Sequence, residues 1–350
     1  MFDLKALLNR LAAGETFSRE EARDLFTFMV SGEASGPQIG ALLMGLRMRG
    51  ETIEEIVGAV QAMRAKMLRV RAPAGAVDIV GTGGDGVGSY NISTAAAFIV
   101  AGAGVPVAKH GNRAVSSQTG AADVLTELGV LLEQTPEGVA HCLAEARMGF
   151  MFAPAHHPAL RNVMPARIDL AMRTIFNILG PLLNPAGVTR HLVGVYSRDL
   201  LEPMAQAFRA LGSSRALVVH GEDGMDEITT TGTTHIAMLT DGEVVMFDLT
   251  PEKLGIERAP LDALKGGNSR TNAAALRAVL AGEPGAYRDI ALLNAAGGLI
   301  AAGITSDWHE ALDRSRASVD GGHAARVLRS VVTASRATCE ERQREYEELQ

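Results

Sequence analysis

The sequence predicts an α/β protein, with a small all-helical domain and a larger domain built on a mainly parallel sheet flanked by helices. Two observations carry that prediction. Up to about residue 70 the apolar residues fall at helical spacing between capping signals, and from about residue 72 short β-like runs alternate with helical ones. The length of 350 residues leaves room for both domains. The expected division is residues 1–71 as the helical domain, joined in space by the helical segment 158–185. Residues 72–157 and 186–350 form the α/β domain.

In chain order, "MFDLKALLNRLAAGETFSREEA" reads as an amphipathic helix without the basic start and long apolar core of a secretory signal. Ser18 with Glu21 and Thr52 with Glu55 are capping boxes. Leu42, Leu43 and Leu46, then Ile53, Ile56, Val57 and Val60, keep helical spacing, and "SGEASGP" is the turn between two helices. "VDIV", "VPVAK", "FMFAP", "HLVGVY" and "ALVVHGE" are the candidate parallel strands. "IAMLTDGEVVMF" is a hairpin turning at Asp241-Gly242. "HPALRNVMPARIDLAMRTIFNILG" is helical in character and suited to pack against the N-terminal helices. "CEERQREYEELQ" is a charged helix end.

Composition narrows the function classes. No apolar run reaches the ~18 residues of a membrane span. Cys142 and Cys339 are too few for a disulfide framework or a thiolate metal site, so both are expected to be reduced in a cytoplasmic protein. A net charge of −7 argues against general nucleic-acid binding.

Against that acidic average three polar loops stand out. "DIVGTGGDGVGSYNIST", residues 78 to 94, is strand, glycine loop and helix start. Bare backbone beside free helix N–H groups is a cradle for phosphate. Gly81, Gly83 and Gly86 satisfy the dinucleotide spacing, but the region that should supply a ribose-binding acid is basic, and Ser89 stands where a Walker lysine belongs. "KHGNRAVSS" brings Lys109, His110, Asn112, Arg113, Ser116 and Ser117 to the next strand end, where ligands bind in open α/β sheets. "HGEDGMDEITTTG" offers Glu222, Asp223, Asp226 and Glu227, the donor type that recruits Mg²⁺ to phosphate, without saying which of the four would ligate. His156, His157, Arg161 and Arg167 crowd the segment after "FMFAP". No third ligand at a recognisable spacing completes a transition-metal site there.

"GTGGD", "NIST", "KHGNRAVSS", "HPA", "RTIFNILGPL" and "MDEI", in this order and spacing, resemble the anthranilate phosphoribosyltransferase family over nearly the whole chain. That family is similar to the nucleoside phosphorylase class of phosphoribosyltransferases. The resemblance implies a hinge cleft between the two domains, a homodimer joined through the helical domains, and transfer of phosphoribosyl from phosphoribosyl pyrophosphate to anthranilate with Mg²⁺. It implies a phosphoribosyl pyrophosphate site lined by Gly81, Gly84, Asp85, Ser89, Asn91, Ile92, Ser93 and Thr94. The run Lys109, His110, Gly111, Asn112, Arg113, Ala114, Val115, Ser116 and Ser117 closes over the phosphates, with Ala121 beyond it. Anthranilate falls to Gly81, Asn112, Arg167, His110, His157 and Pro181, and Mg²⁺ to Ser93, Asp226 and Glu227. No residue stands out as a catalytic acid or base; Lys109 and His110 are the candidates for charge stabilisation. The chain departs from the family pattern at Gln118 (lysine expected), Ala121 (serine expected), Leu183 (threonine expected) and "LAMRT", where a glycine-containing turn is expected. A pyrimidine nucleoside phosphorylase-like enzyme and a non-catalytic nucleic-acid-binding relative are the alternatives.

Overall fold

The computed structural model describes residues 2–113 and 119–348, with side chains to residue 337. Four helices come first: α1 Leu4–Ala12, α2 Arg19–Ser31, α3 Gly36–Arg49 and α4 Ile53–Arg64. The N-terminal stretch is therefore two helices rather than the one expected: α1 ends at a turn in which Gly14 takes φ +81°. Both expected capping boxes form, and Ser35 with Gln38 makes a third. Each satisfies two helix-end N–H groups that would otherwise lack partners.

The rest of the chain alternates strand and helix: β1 Val77–Gly81, α5 Ile92–Gly102, β2 Val107–Gly111, α6 Ala121–Glu127, α7 Pro136–Ala146, β3 Met148–Phe152 and α8 Ala153–His156. Past the segment described next come β4 Arg190–Gly194, α11 Leu201–Ala210, β5 Arg215–Gly221, and the hairpin β6 Thr234–Thr240 and β7 Glu243–Leu249. The chain closes with α12 Ser269–Leu280, α13 Ala286–Ala301, α14 Trp308–Asp320 and α15 His323–Glu348.

The segment between β3 and β4 is not the continuous helix its composition suggests. It breaks into a 3₁₀ turn Pro158–Asn162, α9 Met164–Leu170, α10 Phe176–Leu179 and a second 3₁₀ turn Gly180–Leu183. The prolines explain most of the breaks: Pro158, Pro165 and Pro181 each start a new piece, because proline has no N–H to donate to a preceding turn. Between α9 and α10 the chain reverses at Ala171, a non-glycine residue at φ +47°, ψ +32°.

The strands form one seven-stranded sheet, order β3-β2-β1-β4-β5-β6-β7, parallel from β3 to β5 and antiparallel in the last two pairings. Successive side chains point to opposite faces. Val77, Ile79, Val107, Leu192, Leu217 and Ile236 bury under α5 and α12–α15. Val193, Ala216, Val218, Ala237 and Leu239 bury under α11 together with α2–α4 and residues 163–183. Both faces being covered, the strands are continuous apolar runs, as parallel strands require. After β1 the chain turns outward one way to β2, and after β4 the other way to β5. The gap between the carboxyl ends of β1 and β4 is thus a topological switch point, where open α/β sheets bind ligands.

Candidate active site

Two loops meet over that switch point. The β1 loop runs through Gly83 (φ +68°) and Gly84 (φ +74°), conformations that a side chain would strain. The turn after β5 lays Asp226 across the ends of β1 and β4. A Cβ on Gly81 would come 2.3 Å from Asp226 Oδ2, and one on Gly194 would come 1.6 Å from the Asp226 carbonyl oxygen. Glycine at both strand ends is what lets the acidic turn lie this low. The Gly83 N–H donates to Asp226 Oδ2 at 2.7 Å, and the Ser93 N–H, in the first turn of α5, donates to Glu227 Oε1 at 3.0 Å.

The structure sorts the four acids of the β5 turn. Asp223 is consumed locally, accepting from the Thr229 and Thr231 hydroxyls and the Met225 N–H. Glu222 is exposed and accepts from the Thr233 N–H. Asp226 and Glu227 face the glycine loop. Burial, and then the neighbouring Asp85, push the Asp226 carboxyl up to about 7. Burial, and then Asp226, push Glu227 well above the carboxylate range. Carboxyl groups held together against their mutual repulsion are ready to exchange protons for a divalent cation. Among the described residues no three His, Cys, Asp or Glu side chains converge as a complete metal cage. Two carboxylates beside a phosphate cradle are the donor type that Mg²⁺ uses, its remaining shell being water and substrate phosphate.

Some expected phosphate ligands are placed differently. Lys109 is only 1% exposed; its Nζ donates to the Ile79 carbonyl and to Ser93 Oγ, beneath the loop rather than over it. Burial lowers its pKa. Arg113 pairs with Asp123 at 3.0 Å and lies over the Phe152 ring. Ile92 and Thr94 point into the core, so that turn of α5 offers a ligand backbone rather than those side chains. Asn112 accepts from the Arg113 N–H and stands exposed, and Ala121 opens α6. Ser89 bridges to Lys265 through its backbone. Ala114, Val115, Ser116, Ser117 and Gln118 lie outside the described residues.

His110 and His157 lie together, with Gly180, the neighbour of Pro181, beside His110. His110 Nδ1 lies 3.2 Å from the Gly180 carbonyl, and its ring is 5.1 Å from that of His157. Burial drives both imidazoles down, His110 to about 3 and His157 to about 4, so both are neutral at pH 7. His156 belongs to the scaffold: its Nδ1 lies 3.2 Å from the Leu68 carbonyl. Arg167, on α9, sits over the Phe176 ring at 5.1 Å, has Met164 Sδ as its hydrogen-bond partner, and meets no carboxylate among the described residues.

Several positioning residues carry no motif of their own. Buried Asp78 accepts from the His110 N–H and from Asn184 Nδ2, and burial pushes its carboxyl up to about 6. Asn272 reaches from α12 to Asn91 Oδ1, and the Tyr287 hydroxyl donates to the Asn91 carbonyl, fixing the start of α5. Only the match of partner to partner, 181 and 196 residues apart, reveals these.

Residues 5–67 match the family model described as "Glycosyl transferase family, helical bundle domain", and residues 73–325 match "Glycosyl transferase family, a/b domain". A protein of Ralstonia nicotianae named anthranilate phosphoribosyltransferase 2 is 65% identical over 335 residues, 96% of this chain and 97% of its own. The chain belongs to the anthranilate phosphoribosyltransferase family. The solved anthranilate phosphoribosyltransferase of Thermus thermophilus superposes with TM-score 0.89 at 43% identity, covering 94% of this chain and 99% of that one. The Saccharomyces cerevisiae anthranilate phosphoribosyltransferase, solved in complex with PRPP and Mg, gives TM-score 0.89 at 26% identity, over 95% and 98% of the two chains. Membership in the anthranilate phosphoribosyltransferases displaces the phosphorylase and non-catalytic alternatives. No helix among the described residues is long and apolar enough to cross a membrane.

Proposed function

We propose that the chain transfers the phosphoribosyl group of 5-phosphoribosyl 1-pyrophosphate to the amine of anthranilate, releasing pyrophosphate, in the biosynthesis of L-tryptophan. The carrying observation is the juxtaposition of the glycine loop with Asp226 and Glu227 at the switch point. Positive-φ glycines and the first turn of α5 supply N–H donors for a diphosphate, and the two acids supply hard oxygen donors beside it. Gly81, Gly84, Asp85, Ser89 and Asn91–Thr94 line the donor side. Lys109, at the end of the neighbouring strand, supports it from beneath. Arg167 takes the anthranilate carboxylate, with neutral His110, His157 and Pro181 forming the ring's walls and Gly81 and Asn112 at the junction. The site lies between the helical layer, residues 1–71 with 158–185, and the α/β body.

Anthranilate's amine is neutral at pH 7, so the reaction needs no strong base, and none of the buried histidines supplies one. The demanding event is departure of pyrophosphate from the anomeric carbon. Preorganised N–H groups stabilise the charge that accumulates there at no reorganisation cost. Mg²⁺ held by Asp226, Glu227 and Ser93 would neutralise the same leaving group. Lys109 keeps Ser93 Oγ in place from below and contributes positive field rather than a direct contact.

A homodimer through the helical layer belongs to this reading. It is supported by an exposed apolar strip, Met44 and Met48 on α3 beside Met164, Ile168 and Met172 on and after α9.

The test is the loss of anthranilate fluorescence when phosphoribosyl pyrophosphate and Mg²⁺ are added to the purified chain. Asp226→Asn with Glu227→Gln should raise the half-saturating Mg²⁺ concentration by roughly tenfold or more. Unchanged fluorescence in the parent chain rejects the activity; an unchanged Mg²⁺ requirement in the double variant rejects the metal assignment.

A further inference from the structure

Arg173 makes two contacts that the functional reading above leaves unused. Its Nη2 donates to the Gly84 carbonyl oxygen, and its guanidinium carbon lies 4.1 Å over the centroid of the Tyr196 ring. Tyr196 follows β4, and its own N–H donates to Thr82 Oγ1 at 3.1 Å. Arg173 thus grips the glycine loop directly and stacks on a residue that grips it as well.

The geometry of a peptide makes this contact directional. In a trans unit the carbonyl and the following N–H point opposite ways, and no peptide bond among the described residues is cis. With the Gly84 carbonyl turned to Arg173, the Asp85 N–H points away from it. That N–H has no acceptor among the described residues, while the N–H two residues earlier, on Gly83, is held by Asp226. The loop is therefore tied at two successive residues, through the Gly83 N–H and the Gly84 carbonyl, and the Asp85 N–H is left as a free donor. Arg173 also stands six positions after Arg167, past the reversal at Ala171, so one short segment touches both halves of the site.

We propose that Arg173 is a positioning residue for the donor loop: it fixes the Gly84–Asp85 peptide so that the Asp85 N–H faces the diphosphate, and it couples that loop to the segment carrying Arg167. The proposal rests on the donor-site reading above. Guanidinium suits the task because its planar fork stacks on a ring and donates in plane at once, which an ammonium cannot do.

The experiment measures phosphoribosyl pyrophosphate affinity by calorimetry, without anthranilate, beside steady-state constants and thermal midpoints. Charge-assisted hydrogen bonds at such positions correspond to losses of roughly tenfold or more. Arg173→Ala should weaken phosphoribosyl pyrophosphate by that amount, move the anthranilate KM by less than about twofold, and leave the thermal midpoint in place. Arg173→Lys should recover little. Tyr196→Ala should weaken the same ligand, and Arg173→Ala with Tyr196→Ala should be no worse than Arg173→Ala alone, because the two act as one unit. Tyr196→Phe, which keeps the ring, should behave as the parent. The proposal is overturned if Arg173→Ala binds phosphoribosyl pyrophosphate normally. It is equally overturned if Arg173→Lys is fully restored while Tyr196→Ala is neutral, which is the pattern of a simple phosphate contact. A parent chain that binds the donor but leaves anthranilate unconverted removes the acceptor assignment and still tests Arg173; one that binds no donor removes both.

Discussion

Arg167 illustrates how a side chain declares a missing partner. Burial pushes its pKa down, an aromatic ring lies beneath it, and no carboxylate among the described residues answers it. Removing one half of a buried charge pair costs about 2–5 kcal/mol, so Arg167→Ala should lose roughly 30-fold or more in kcat/KM for anthranilate. Arg167→Lys should return part of it, and phosphoribosyl pyrophosphate affinity should hold. A variant that instead loses phosphoribosyl pyrophosphate shows the two substrates on exchanged sides. His191 offers a test away from the site. It is fully buried against Phe208, and burial drives its pKa to about 3. Unfolded histidine titrates near 6.5, so stability is intact above that pH and falls as the unfolded state gains a proton the native state refuses, until about pH 3. Between pH 7.5 and 5, His191→Leu should lose up to about 2 kcal/mol less than the parent in urea unfolding. Equal losses would mean that His191 is protonated in the native state. Of these residues Arg167 was singled out by its motif. Arg173 and Asp78 were not, because what each does depends on a partner 89 or 106 positions away.

At the scale of elements, the strands were readable and the helical insertion was not. Parallel strands buried on both faces leave short apolar runs bounded by glycine, and all five expected runs form strands. Residues 158–183 have helix-forming composition, yet three prolines cut them into turns whose directions no periodicity encodes. The reversal at Ala171 is the sharpest of these. The sequence showed a departure there, "LAMRT" in place of a glycine-containing turn; the structure shows that the alanine has kept the left-handed conformation glycine would favour. That conformation costs an alanine about 1–2 kcal/mol, and glycine's greater freedom when unfolded returns about 0.4–1 of it. Ala171→Gly should therefore raise stability by up to about 1 kcal/mol in denaturant titration with the site unchanged. A clear loss of stability would place Ala171 in another conformation.

For the molecule as a whole, composition and the order of the loops announced two layers and a ligand-binding edge. They could not place the buried face of the sheet against the helical layer, since that packing joins residues 17–63 to residues 193–239 in one core. The apolar strip on α3 and α9 predicts that light scattering at micromolar concentration returns about twice the chain mass of 36.8 kDa. A fully active monomer would remove the dimer and any need for it. The central pairing of the sheet also sets an order of events during synthesis. β1 pairs with β4 from Val77 to Arg190, 113 positions later, and the Asp226 that pins the glycine loop lies further on still. A ribosome adding about 5–20 residues per second leaves β1 without β4 for roughly 6–20 s. During that interval the nascent chain carries an apolar strand with an unpaired edge and a glycine loop with nothing to hold its shape. The switch-point edge therefore cannot assemble until well after β1, β2 and β3 have been made, and the interval before β4 arrives is when a chaperone or a misdirected strand has its opportunity.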